Sequence, residues 1–109
     1  MTEPLTQLRR ATAEVLAQLE ADHARLVAAS EGANADDEHD PEGATVGFER
    51  AQLAASIERV RHQLAELTAA ADRIADGSYG ACERCGRPID PERLLARPAA
   101  RTCIRCAAG

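Results

Sequence analysis

Four cysteines in the last third of the chain form its most specific chemical pattern. They are spaced Cys-x2-Cys-x17-Cys-x2-Cys and are Cys82, Cys85, Cys103 and Cys106. Each Cys-x-x-Cys turn can aim two thiolates at one point, and two such turns complete the tetrahedron that Zn²⁺ prefers. Because four thiolates leave no open coordination position, we expect one structural zinc ion and no catalysis at the metal.

Two other uses of the cysteines stay open at this point, a redox or disulfide pair and an iron–sulfur site. Redox Cys-x-x-Cys pairs usually come singly, beside a βαβ pattern that this sequence does not show. The chain has no apolar run near the roughly 20 residues of a membrane span, and its first residues form no hydrophobic signal region. We therefore expect a cytoplasmic protein with no membrane partner, in a reducing compartment that favours metal binding over disulfides.

An acidic segment is the second candidate for chemistry. It carries five hard oxygen donors within seven residues: Asp36, Asp37, Glu38, Asp40 and Glu42. Three interpretations stay open, namely a solvated loop, a functional acidic tip and a divalent-cation site. Their spacing matches no calcium loop, which disfavours the third interpretation.

Two long helices are predicted to flank this segment. The first covers residues 4 to about 31, and its apolar seam consists of Leu5, Leu8, Thr12, Val15, Leu19, Asp22 and Leu26, flanked by Leu16 and Val27. The second covers residues 47 to about 76, ends at Gly77, and has the fully apolar heptad seam Leu53, Ile57, Val60, Leu64, Leu67, Ala71 and Ile74. A third, short helix at about Pro91–Ala96, with Asp90 as its N-cap, is predicted between the two cysteine pairs.

These elements predict an all-α fold, an antiparallel two-helix coiled-coil hairpin followed by a small four-cysteine zinc-finger module. Residues 1–76 form the hairpin, with an acidic tip loop at about 31–47, and residues 77–109 form the finger. Glycines and prolines in the loop, Pro41 and Gly43 among them, argue against a continuous helix there. At 1.5 Å per residue each arm is about 40 Å long, which places the tip far from the zinc. The thin, alanine-rich core favours self-association.

Charge is unevenly divided along the chain. Residues 1–76 carry 7 Arg and 15 Asp or Glu, whereas residues 77–109 carry 6 Arg and 3 Asp or Glu, for a net charge of −5. An acidic chain of this kind argues against direct DNA binding. The six arginines of the finger either face an acidic partner surface or are ordinary solvated charges. No nucleophile–base pair or glycine-rich phosphate loop is present, so we expect no enzyme.

The C-terminal stretch resembles the zinc finger of the DksA/TraR family of bacterial transcription regulators. The matching residues are Gly77-x-Tyr79-Gly80-x-Cys82-x-x-Cys85-Gly86-x-x-Ile89 and Arg93-Leu94-x-Ala96-x-Pro98-x-Ala100-x-x-Cys103-x-x-Cys106. The resemblance implies a regulator that binds RNA polymerase and inserts its hairpin into the secondary channel, with tip acids near the catalytic magnesium. Tyr79, the only tyrosine of the chain, is expected to pack between the base of the hairpin and the finger.

The tip matches the family pattern Asp-x-x-Asp-x-Ala in part. One alignment gives Asp40 at the first Asp, Gly43 at the second and Thr45 at the Ala. Another, through Asp37, Asp40 and Glu42, restores both Asp but not the Ala. The resemblance thus nominates Asp37, Asp40, Glu42 and Thr45 for partner contact. The alternative is a zinc-stabilised coiled-coil interaction module that does not act on RNA polymerase.

Overall fold

The computed structural model describes residues 2–33 and 41–108. Within these ranges the chain forms four helices, α1 (Thr2–Ala33), α2 (Pro41–Asp76), α3 (Pro91–Ala96) and α4 (Ile104–Ala108). The same residues contain no strand, only an isolated antiparallel bridge between Ala81 and Pro88. The two long helices pack together and a cysteine cluster follows them, which confirms the predicted fold class. None of the described helices is long and apolar enough to span a membrane.

The chain divides into two compact units. The arm unit comprises residues 11–63, and the finger unit comprises residues 1–10 and 64–109. The finger unit therefore includes the first turns of α1 and the last turns of α2 as well as the cysteines. The predicted domain boundary between residues 76 and 77 stays a prediction.

Helix α2 begins at Pro41, six residues before its predicted start at residue 47. Proline suits the first position of a helix, because its missing N–H has no helical partner there in any case. Gly43 and Gly47 lie inside the helix at a cost of only about 1 kcal/mol each, which is too small to stop a helix that is already growing. The part of the predicted loop at 34–40 lies outside the described residues.

In the arm unit, cross-helix pairs establish the antiparallel arrangement. The Arg50 guanidinium donates to Ser30 Oγ at 3.3 Å, and Arg61 pairs with Glu20 at 3.6 Å. Partner numbers on α1 fall as those on α2 rise, which defines antiparallel helices. Ile57 is buried between them with 6% of its surface exposed.

The seam of α2 is confirmed, and that of α1 is buried or half-buried at five of its seven predicted positions and wrong at two. All seven predicted α2 positions are buried or half-buried. On α1, however, Leu8 and Val15 are 41% and 51% exposed, while Arg9 and Leu16 are half-buried. Neighbouring apolar residues such as Val15 and Leu16 define two possible faces about 100° apart, since a helix turns by that angle per residue. Packing against α2, which the α1 pattern does not reveal, selects Arg9 over Leu8 and Leu16 over Val15 at these two turns.

The finger unit begins at the capped end of α2. Gly77 has a φ of +84°, and its N–H donates to the Ile74 carbonyl at 3.3 Å. The next N–H, that of Ser78, donates to the Arg73 carbonyl at 3.0 Å. These two bonds form a Schellman motif, which satisfies carbonyls that the helix end would otherwise leave unpaired. The predicted helix end at Gly77 is confirmed.

Candidate metal centre

The first cysteine pair lies in a tight turn closed by backbone hydrogen bonds. Cys82 N–H donates to the Arg87 carbonyl at 2.8 Å, and Gly86 N–H donates to the Cys82 carbonyl at 2.9 Å. Gly86 has a φ of +75°, a conformation that glycine adopts without the steric cost that other residues bear. The turn places the side chains of Cys82 and Cys85 on the same side.

The second pair lies at the start of α4. Cys103 directly precedes this helix and accepts from Ala107 N–H at 2.9 Å, and Cys106 lies within it. Residues three apart share one face of a helical turn, so both thiols point the same way. Helix α4 was not predicted, because five residues are too few to show a helical period. Arg84 of the first turn donates to the Cys106 carbonyl at 3.1 Å and joins the two pairs.

The sulfur positions fit a tetrahedral metal site. All four Sγ atoms lie within 4.8 Å of one another, and Cys85 Sγ and Cys103 Sγ are 3.8 Å apart. A tetrahedron with Zn–S bonds of about 2.3 Å has edges of about 3.8 Å. The sequence prediction that these four cysteines come together is therefore confirmed in geometry, and one structural Zn²⁺ fits them.

Backbone donors prepare the cluster for negative charge. The pKa of Cys82 is lowered to about 6, chiefly because its sulfur accepts a backbone hydrogen bond from Cys103. The pKa of Cys103 is also lowered, chiefly by the backbone N–H of Cys106. The pKa of Cys106 is raised to about 12, because its thiol shares its proton with Cys103. The backbone donors at Cys82 and Cys103 favour thiolates, the form in which cysteine binds a metal.

A small apolar core lies beneath the cysteines. Its buried members are Cys82, Ile89 and Leu94, which are 3%, 3% and 8% exposed. Helix α3 supplies Leu94, and the Asp90 carboxylate caps this helix by accepting from Glu92 N–H at 2.9 Å. The predicted bounds and N-cap of this helix are confirmed. The metal and this core stabilise the same few residues from two sides.

Tyr79 links the two apolar clusters of the finger unit. It packs against Leu5, Leu67 and Ala70 in one cluster and against the Ile89 cluster in the other. Its hydroxyl donates to the Pro98 carbonyl at 2.8 Å, and burial raises its pKa above the ordinary value. The predicted position of Tyr79 is confirmed.

Arg101 is the residue of this unit that the sequence did not single out. Its Nε donates to Glu66 Oε2 at 2.8 Å, and another guanidinium nitrogen donates to Glu83 Oε1 at 2.9 Å. Its carbonyl also accepts from Glu83 N–H at 2.9 Å. The two carboxylates hold the pKa of Arg101 above its ordinary value. Because Glu66 is 35 residues away in sequence, no local pattern reveals this bridge.

The nominated tip residues are less fully described. Asp37 and Asp40 lie outside the described residues. Glu42 and Thr45 lie in the first turns of α2, and Thr45 is exposed. Their role stays a prediction.

Comparisons with known proteins agree with this geometry. Residues 77–109 match the family model described as the prokaryotic dksA/traR C4-type zinc finger. An uncharacterized protein of Aquifex aeolicus is 48% identical over 44 residues, which is 40% of this chain. The RNA polymerase-binding transcription factor DksA of Caulobacter vibrioides is 46% identical over 43 residues, which is 39% of this chain. The matched segments span 30% of the length of each of these relatives.

A solved structure extends the likeness beyond the finger. The structure of transcription factor DksA2 from Pseudomonas aeruginosa matches 98% of this chain and 77% of its own, with a TM-score of 0.82 and 27% identity. The likeness therefore includes both long helices as well as the cysteine module.

Proposed function

Because the chain belongs to the DksA/TraR family, we propose that it is a transcription regulator that binds RNA polymerase directly. One observation carries the proposal, the structural match to DksA2 over 98% of the chain. A likeness confined to the finger would suit any protein that uses this metal module. A likeness that includes the long helices suits a protein that works through the same pair of helices.

We propose further that the hairpin enters the secondary channel of the polymerase. A structure that enters a narrow pore must itself be narrow. A pair of packed helices is the narrowest arrangement of helices that still buries an apolar seam. In the arm unit, α1 and α2 bury a single seam, and charged residues such as Glu58 and Arg59 are exposed. A wetted outer face of this kind suits a body that slides along a polar channel.

The acidic tip supplies the proposed action inside the channel. Asp37 and Asp40, with Glu42 and Thr45, are the residues that we propose to meet the polymerase near its catalytic magnesium. Carboxylates placed close to a bound cation change the field around it and offer it alternative ligands. The finger has a structural role in this proposal, since four thiolates complete the zinc shell and leave no position for a substrate.

Site-specific cross-linking tests the proposal. A photoreactive residue at position 40 of the zinc-loaded chain is expected to cross-link to the active-site region of purified core polymerase. The same residue at position 59, on the exposed face of α2, serves as the control and is expected to give a different cross-linked peptide. A pull-down that recovers another partner and no polymerase subunit would favour the interaction-module alternative.

A double substitution tests the tip separately from binding. Asp37→Ala with Asp40→Ala is expected to abolish the effect on transcription in vitro while affinity for core polymerase changes little. If the wild type has an effect and the double variant keeps it, the tip mechanism is wrong even where polymerase binding is right.

A further inference from the structure

A cavity of about 470 Å³ opens on the finger beside the cysteine cluster, and Cys103 is the one cysteine that lines it. Its wall comes from Arg87, Pro88 and Asp90, from α3 and the residue after it, and from residues 103–105. We call it the finger cavity. It is large enough for one or two amino-acid side chains.

The finger cavity is strongly basic. Four arginines line it against one acid, Asp90, whose carboxylate already caps α3. Arg93 donates to the Thr102 carbonyl at 3.0 Å. Within the described part of the chain, the side chains of Arg87, Arg97 and Arg105 make no hydrogen bond or ion pair with protein. Three guanidinium groups therefore keep their full capacity for an external anion.

The wall between these charges is apolar. Pro88 and Ala96 contribute to it, and Ile104 lines it with 69% of its surface exposed. A single exposed aliphatic side chain is ordinary by itself, but this one lies in the same cavity as those three guanidinium groups. The occupant that fits has both negative charge and an apolar group.

We infer that the finger cavity is a docking site for an acidic segment of a protein partner, with one apolar side chain seated against Ile104. Guanidinium groups bind carboxylates through two parallel hydrogen bonds, and three of them at one rim can hold successive Asp or Glu side chains. A free phosphate would leave the apolar wall unused. Nucleic acid would meet a chain with a net charge of −5, which repels its phosphates over most of the surface. This inference goes beyond the proposed function, because it concerns another surface and does not require polymerase to be the partner.

A peptide-binding experiment on the zinc-loaded full chain tests the inference. The probes are fluorescent peptides of about 12 residues with six Asp or Glu and one Leu, at three different Leu positions, and matched peptides with Asn and Gln in place of the acids. We expect at least one acidic peptide to bind saturably, with amide shifts in NMR spectra centred on residues 87–105. Binding should weaken by about tenfold or more between low and moderate salt, because the contacts are ion pairs near the surface.

Charge reversal supplies the decisive comparison. Arg87→Glu with Arg97→Glu is expected to weaken peptide binding by about tenfold or more. Arg10→Glu, an exposed position on α1, is the matched control and should leave binding unchanged. Ile104→Ser should lower affinity several-fold at unchanged salt dependence, which isolates the apolar contact. Zinc content measured for every variant ensures that each finger is folded.

Four results would overturn the inference. They are the absence of saturable binding by any acidic peptide, equal binding of the amide peptides, and equal binding by the charge-reversed variant. The fourth is an occupant of another class, seen as cavity shifts produced only by inorganic phosphate or single-stranded DNA, or as self-association that the Arg87 and Arg97 reversals abolish.

Discussion

The arm unit and the finger unit are stabilised in opposite ways. Among the described residues of the arm unit, Ile57 is the one buried side chain, and stability is spread along a repeated seam. The finger unit concentrates its stability in two apolar clusters, a capped short helix and four cysteines. A repeated seam tolerates local change because each turn contributes little. The finger unit is compact and is built around the four-cysteine site, so its stability depends on that site.

Zinc removal is expected to have the largest effect. If the finger unit stayed folded without zinc, the contrast between the two units would be wrong. Chelation, or Cys103→Ser, should unfold residues 77–108, because the metal supplies about 10 kcal/mol or more to modules of this size. The Ile57 methyl resonance should persist, since its contacts lie within the arm unit. The chemical-shift dispersion in NMR spectra, followed separately for finger and arm residues, shows whether the finger unfolds and whether the arm stays folded.

Ala107→Ser is the matched control for the cysteine substitution. It adds a hydroxyl at an exposed α4 position and removes no ligand, so finger dispersion should be unchanged. Concerted loss of both units on chelation would contradict the comparison, because it would show that the arm unit also depends on the metal.

A buried leucine should matter more than an exposed one on the same helix. Leu5 is 2% exposed in the finger unit, whereas Leu8 is 41% exposed. We expect Leu5→Ala to lower the free energy of unfolding by about 2–5 kcal/mol and Leu8→Ala by less than about 1 kcal/mol. Urea unfolding of the two variants measures the difference. Equal losses would restore the originally predicted seam, in which Leu8 faces α2.

The Arg101 bridge should contribute a smaller amount. Arg101, Glu66 and Glu83 are all between about a third and a half exposed, so water screens their attraction. We expect Arg101→Gln to cost about 1 kcal/mol and Arg101→Lys to restore only part of it, because an ammonium lacks the planar fork that reaches two carboxylates. Arg59→Gln, on the exposed face of the arm unit, is the control and should be neutral. If Arg101→Gln leaves the free energy of unfolding unchanged, the bridge contributes nothing measurable to stability.

The sequence was most informative where a residue's role depends on its near neighbours. The α2 seam, the Asp90 cap, the Gly77 stop and the cysteine pairs each depend on spacings of a few residues, and all are found as predicted. The α1 seam was wrong at Leu8 and Val15, because a choice between two adjacent faces depends on the partner helix. Arg101 was missed for a related reason, since its carboxylate partners lie 18 and 35 residues away. The early start of α2 reflects how little two glycines cost within a long helix.

Tyr79 is expected to contribute about as little as the Arg101 bridge, but its contribution depends on pH. Burial raises its pKa, so the folded state favours the neutral phenol that donates to the Pro98 carbonyl. The sign follows directly: this contribution is complete below the ordinary tyrosine pKa of 10.0 and is lost as pH rises through the higher folded value. We expect Tyr79→Phe to lose about 1 kcal/mol at neutral pH, the value of one hydrogen bond. The variant and the wild type should then converge in stability above pH 10, as measured by urea unfolding across that range. Curves that coincide at every pH would show that the hydroxyl adds nothing and that Tyr79 stabilises the finger unit through its ring alone, whereas a constant offset would show that the hydroxyl's contribution does not depend on its ionisation.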